Sequence, residues 1–162
     1  MPPVQLAGVL ADRGDTPLGD HCPVDRTMQV VGHRTSLLLL REVFYGASRF
    51  DALVRRTGMT EAAAAQRLRG LVEAGLLERE PYREAGQRTR HQYVLTDSGH
   101  AFLPVLVALI EWGQAHLPSE RGELALSHAG CGEPVHLETR CGAGHVVAED
   151  ELVVGSRRRT VT

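Results

Sequence analysis

A mainly helical α+β fold is predicted by three features of this 162-residue sequence. An alanine-rich helix over residues 60–74 follows a shorter helix and the turn Thr57-Gly-Met59. Two strand-like alternations, residues 76–82 and 90–95, come directly after it, joined by a charged loop. A long apolar stretch, residues 101–110, then reads as the body of a last helix. Helix, glycine turn, helix and hairpin in that order are the layout of a winged helix-turn-helix. A long C-terminal helix suited to dimerisation and a small β-hairpin-like tail complete it.

The first 19 residues contain Pro, Gly and Asp without a period and are expected to form a flexible arm. Asp20-His-Cys-Pro-Val24 reads as the start of a first helix, with Asp20 or His21 preceding it and Pro23 in its first turn, Val24, Met28 and Val31 as its apolar stripe and Gly32 as its end. Residues 36–44 read as a second helix, apolar on nearly every side and therefore central. Arg49-Phe50 is a candidate for a very short strand, and Asp51 for the start of a third helix with Leu53 and Val54 turned inward.

Thr60 is placed to cap the fourth helix, and Glu61 suits its positive end. Ala64, Leu68, Leu71 and Val72 recur at helical spacing and predict a buried stripe. Ala62, Ala63, Gln66, Arg69 and Glu73 fall on the opposite face. Gly75 is placed as a left-handed stop. The last helix is expected to run from about residue 97 to 116, with Pro104 early enough to be tolerated or to kink it. One small domain cannot cover both faces of such a helix, so the expectation is a homodimer with this helix and the Val24 helix in its interface. The alternative is a tail folded back over it.

Composition sets bounds on function. Apolar residues make up 43% of the chain, enough for a globular core, and the net charge of −2 gives no global basic signal. Nucleic-acid binding must then rest on local charge. All 18 basic residues are arginine. That fits a GC-rich genome, and arginine is also the better bidentate ligand for phosphate and guanine. Three cysteines, an odd number, argue against a secreted disulfide framework. The N-terminal residues lack the charged-then-apolar form of a signal peptide. No apolar run reaches the roughly 20 residues that span a bilayer. A cytoplasmic protein with no membrane contact is expected.

Cys22-Pro-Val, Gly32-His-Arg-Thr-Ser-Leu-Leu-Leu-Leu-Arg41-Glu, Arg49-Phe50, Gln66-Arg-Leu-Arg-Gly-Leu71, Gly75-Leu-Leu and Tyr93-Val-Leu-Thr96 through Gly99 stand in an order and spacing that resembles the HxlR-type, MarR-related transcriptional regulators of bacteria. The resemblance covers residues 20–117. It divides the chain into an arm (1–19), a winged-helix DNA-binding and dimerisation domain (20–117) and a tail (118–162). It implies a dimeric regulator, often a repressor, in some members responsive to reactive small molecules. The chain departs from the family in having Arg34-Thr35-Ser36 in place of Lys-Trp-Thr, in Ala64 where a larger aliphatic residue is common, and in a wing without the frequent proline pair. The missing tryptophan enlarges the space for a small-molecule effector.

The residues assign roles for binding double-stranded DNA at a palindromic operator. Thr60, Ala62, Ala63 and Gln66 are the candidates for base edges, since glutamine bonds adenine bidentately and alanine meets a thymine methyl. Arg67, Arg69 and Arg49 are candidates for phosphates, which fix register. Arg83, Arg88, Arg90 and His91 give the wing a basic tip, from which an arginine can enter a minor groove. Each arginine taken singly also fits a solvated surface charge.

Cys22 sits at a predicted helix N-terminus, where the dipole favours a thiolate, beside His21 and one turn from Arg26. The resemblance implies a redox or electrophile sensor at this position in some relatives. The alternative is a small apolar residue at the dimer interface. In the tail, His128-x2-Cys131 and Cys141-x3-His145 resemble the paired knuckles of a zinc ribbon, a donor set suited to tetrahedral structural zinc. A metal-free hairpin between glycine turns, or a Cys131–Cys141 disulfide, fits the same residues. No nucleophile–base pair or phosphate loop has a supporting context, so no enzyme is expected. The competing function is a winged-helix protein that binds small molecules in the apolar dimer cavity and does not bind DNA.

Overall fold

The computed structural model describes residues 4–83, 89–117, 120 and 122–156. The chain forms two compact units, Gly19–Ala125 and a second made of Met1–Leu18 with Leu126–Thr162.

In the first unit, α1 spans Pro23–Val31 and α2 spans Arg34–Phe44. Pro23 occupies the first turn of α1, where its missing N–H leaves no hydrogen bond unmade. α3 covers Phe50–Thr57, one residue longer at its start than the expected Asp51. Gly58 then turns the chain with φ 66°, a left-handed conformation that costs glycine little. α4 follows at Glu61–Glu73, capped by the Thr60 hydroxyl, which accepts from the Ala63 N–H at 3.3 Å. β2 (Leu77–Tyr82) and β3 (Arg90–Leu95) pair antiparallel, with Leu77 opposite Leu95 and Tyr82 opposite Arg90. Arg49 adds a single bridge to Gln92 at the outer edge of β3, which realises the predicted short strand as one residue pair.

The core lies where α2, α3 and α4 meet the base of this hairpin. Leu39, Leu40, Leu53, Leu68, Leu71 and Leu77 are its fully enclosed side chains. Burial of each leucine is worth roughly 1.5–3 kcal/mol. Glu42 is buried as well, and its carboxylate accepts from Arg41 Nη2 at 2.6 Å and lies 3.8 Å from Arg56 Nη1. A buried charge is tolerable only when paired. Here the pairing also ties α2 to α3.

The last helix is not continuous. α5 is a single turn at Asp97–His100, and α6 runs over Leu103–His116 after a break at residues 101–102. Pro104 is the cause. It has no N–H to give residue 100, and its ring crowds that carbonyl, so the ladder cannot pass through. Gly99 sits tightly in this corner, where a Cβ would collide with the Leu76 carbonyl oxygen and touch the Leu95 side chain.

The second unit joins the two ends of the chain. β1 (Gln5–Ala7) pairs in parallel with β4 (Val153–Gly155), Gln5 opposite Val153 and Ala7 opposite Gly155. The expected flexible arm is therefore, over these residues, one half of a strand pair. The pairing is stabilised further by Gln5 N donating to Leu152 O at 2.8 Å and Gln5 Nε2 donating to Asp150 O at 3.1 Å. The expected β-hairpin-like tail is reduced to isolated bridges, Ser127–Pro134 and Arg140–Val146, beside two glycine turns. No side chain of this unit is fully buried among the described residues.

Candidate nucleic-acid interface

α4 is the element on which the interface is built. Ala64, Leu68 and Leu71 anchor one side of it in the core. A rotation of 100° per residue then turns Ala62, Gln66, Arg69 and Glu73 to solvent, and all four are exposed. Ala62 and Gln66 bring a small apolar group and a carboxamide to the outward face, the chemistry that reads thymine and adenine edges. Ala63 is half-buried on the flank. The Thr60 oxygen already accepts one bond for the cap, which leaves its hydroxyl proton and a second lone pair for a base or phosphate.

Arg67 and Arg69 do not share a face. Arg69 is exposed on the outward stripe, whereas Arg67 is half-buried and lines a groove of about 370 Å³ with Gln29, His33 and Ser36 from the α1–α2 side. The stripe thus presents one arginine directly.

Arg49 is exposed at the N-cap of α3, with its guanidinium over the Tyr82 ring, 4.9 Å from the centroid. That cation–π contact helps to hold the guanidinium in place. The hairpin is stitched to the same corner. Tyr93 N donates to Ser48 O at 2.8 Å, and Gln92 Nε2 donates to Glu80 Oε2 at 3.1 Å. Arg83, Arg90 and His91 are exposed on the wing strands or at their ends, and Arg88 lies outside the described residues. Tyr82 was not legible as a site residue, because its role depends on a contact 33 positions away in the chain.

The tail residues do not assemble as the spacing suggested. Among the described residues no group of three or more His, Cys, Asp or Glu side chains converges as a metal site. His128 Nδ1 and Cys131 Sγ lie 3.1 Å apart in one turn, closed by Gly132 N donating to His128 O at 2.8 Å. Cys141 and His145 belong to a second turn, closed by Gly144 N donating to Cys141 O at 2.9 Å. Each turn satisfies its own backbone, and nothing in that local closure brings the two pairs together. His128 with Cys131 and Cys141 with His145 thus form two turns, each carrying one thiol and one imidazole. All three cysteines are free thiols. Backbone N–H groups, that of Ala143 foremost and then that of His145, hold the Cys141 thiol below its ordinary range. Cys22 is half-buried at the N-cap of α1.

A capped helix with a solvent-facing stripe, set after a glycine turn and beside a two-stranded wing, defines a winged helix-turn-helix protein of the transcription-regulator class. The chain belongs to the HxlR-like helix-turn-helix family, whose model matches residues 30–121. It is 41% identical over 123 residues to Rv3095 of Mycobacterium tuberculosis, an uncharacterized HTH-type transcriptional regulator, covering 74% of this chain and 77% of that protein. Its structure is similar to the crystal structure of PA1607, described as a transcription factor, with TM-score 0.76 and 34% identity over 87% of this chain and 98% of that one. The oxidised form of the redox regulator HypR matches at TM-score 0.54 and 27% identity, over 60% of this chain and 100% of HypR. No helix among the described residues is long and apolar enough to cross a membrane.

Proposed function

We propose that this protein is a homodimeric, cytoplasmic repressor that binds a palindromic operator through α4 and the wing, and that a redox or small-molecule signal releases it. The observation that carries the reading is the outward stripe of Ala62, Gln66 and Arg69 on a helix anchored by Leu68 and Leu71. The dimer is supported by α6, of whose 14 residues only Leu106 is fully buried, and by the exposed Val24 and Met28 of α1. An apolar surface of that extent on adjoining helices marks an interface.

The test is a fluorescence titration against duplex DNA from upstream of its own gene, at two salt concentrations, with wild type and Gln66→Ala. Wild type is expected to bind selectively, with affinity falling steeply as salt rises. Gln66→Ala is expected to lose roughly 1–3 kcal/mol of discrimination at one base pair per half-site while keeping the salt dependence. If wild type binds no duplex selectively, a small-molecule-binding winged helix without DNA-binding activity becomes the better reading.

The signal is assigned to Cys22. HypR is a redox regulator, and Cys22 stands half-buried at the start of an α1 whose exposed apolar residues suit the dimer interface. Oxidising such a thiol places a polar or bulky group where two subunits meet. A thiol oxidant is expected to weaken wild-type binding at least about tenfold, a change of about 1.4 kcal/mol. Cys22→Ser should be insensitive, and a Cys131→Ser/Cys141→Ser double variant should respond like wild type. A Cys22→Ser protein that still released its DNA on oxidation would remove Cys22 from the mechanism.

A further inference from the structure

Strands β2 and β3 carry their charges on opposite faces. Directly opposed residues of an antiparallel pair share a face. Leu77 with Leu95, Arg79 with Tyr93, and Pro81 with His91 therefore line one face, and Glu78 with Val94, Glu80 with Gln92, and Tyr82 with Arg90 the other, Arg90 bordering the recess from the end of its strand. Leu77 and Tyr93 are buried, so the first of these is the core face. An inward position next to a core leucine ordinarily takes another apolar residue. Here it takes Arg79.

The space that Arg79 reaches is a recess of about 390 Å³ between the start of α3 and the wing. Phe50 and Tyr93 give it apolar walls, and Arg79, Arg90 and His91 border it. Among the described residues Asp51 is the one acid in its lining, and its carboxylate is already engaged by Arg55 Nη1 at 2.8 Å, which holds the Asp51 carboxyl below its usual range. Their backbones belong to the β2–β3 ladder, but the side chains of Arg79 and Arg90 have no hydrogen bond or ion pair among the described residues. Two guanidinium groups with unfilled donors, against one carboxylate spoken for by another arginine, make a site that lacks an oxyanion. Phosphate oxygens match the guanidinium fork in geometry and charge.

We infer that this recess seats a backbone phosphate of the bound duplex, with Arg79 as its principal ligand and Arg90 and His91 beside it. The inference rests on the DNA-binding reading above and adds a contact at the junction of α3 and the wing, apart from the α4 stripe. The outward acidic face, Glu78 and Glu80, fits the same arrangement, because it turns negative charge away from the polyanion. Arg49 stacked on Tyr82 supplies a further cation at this corner.

The experiment measures operator and random-sequence duplex affinity over a series of salt concentrations, for wild type, Arg79→Gln and Arg79→Lys. Loss of one phosphate contact in each subunit of the dimer should flatten the log–log salt slope of Arg79→Gln by about 1.8. Affinity should fall roughly tenfold or more, equally on both sequences. Arg79→Lys keeps the charge and should keep the slope, with a smaller loss of affinity. Unfolding midpoints of all three should agree, since Arg79 is exposed. A wild-type slope and affinity in Arg79→Gln, with wild type binding DNA normally, overturns the seat and leaves the regulator reading intact. Absence of duplex binding by wild type overturns both. A parallel titration with inorganic phosphate alone separates the sources of the anion. A saturable, Arg79-dependent rise in the unfolding midpoint with an unchanged DNA slope assigns the recess to a free phosphorylated molecule and overturns the duplex seat.

Discussion

Leu109→Glu is expected to turn the dimer into a monomer and to weaken binding to a palindromic operator by at least about 100-fold. Val105, Leu109 and Trp112 are spaced by four and three residues, so they form one stripe along α6, and they are 43%, 48% and 59% exposed. A leucine left half in water at the middle of such a stripe contributes little to the fold of its own chain. Across a two-fold axis the same residue is used twice. The substitution then buries two unpaired carboxylates near one another, and each carries a desolvation cost of several kcal/mol. Binding to an isolated half-site should change far less, because α4 and the wing are untouched. Sedimentation across micromolar concentrations together with operator titration checks this. A variant that remains dimeric, or a wild type that is itself monomeric at tens of micromolar, places the subunit contact elsewhere or removes it.

The parts of this fold that were legible beforehand are those encoded by neighbours in sequence. Thr60 with its cap, Gly58 and Gly75 with positive φ, and the Ala64, Leu68, Leu71 stripe are all fixed within about two turns of chain. The two wing strands followed from alternation over six residues each. What was not legible depends on distance. Gln5 and Val153 pair across nearly the whole chain, and three residues at either end carry no pattern that names the other. Arg67 and Arg69 look equivalent in the sequence, and only the position of α1 and α2 separates a half-buried arginine from an outward one. Cys–His spacing in the tail describes two turns and says nothing of whether they converge. The break before α6 is a different case. Pro104 and its tendency to kink are plain in the sequence, but whether the ring bends one helix or divides the run into two depends on how the turn before it packs.

The second large effect concerns the anchor of the recognition helix rather than its outer face. Leu68 is fully buried, one helical turn from Ala64 and from Leu71, at the point where α4 meets α2. Leu68→Ala removes that side chain from a core whose largest fully enclosed side chains are all leucine. Such a deletion costs the transfer energy of the lost methyl groups plus a cavity term, in all about 2–5 kcal/mol. A domain of this size has a total stability of roughly 5–15 kcal/mol, so the variant should unfold at markedly lower denaturant while keeping its slope. α4 has a second weak point that sharpens the expectation. Ala64 is small where a larger residue would bury more area, and Gly70 lowers helix propensity mid-helix with open space around it. The helix is thus held chiefly by Leu68 and Leu71, and losing one of them should loosen it before the rest of the core. Operator affinity at a temperature well below the transition should therefore drop as well, although Leu68 touches no DNA. Equilibrium unfolding and operator titration on the same sample test the pair of effects. A loss of stability under about 1 kcal/mol would mean that the site collapses around the alanine, and the argument that Leu68 holds the reading face in place would fall with it.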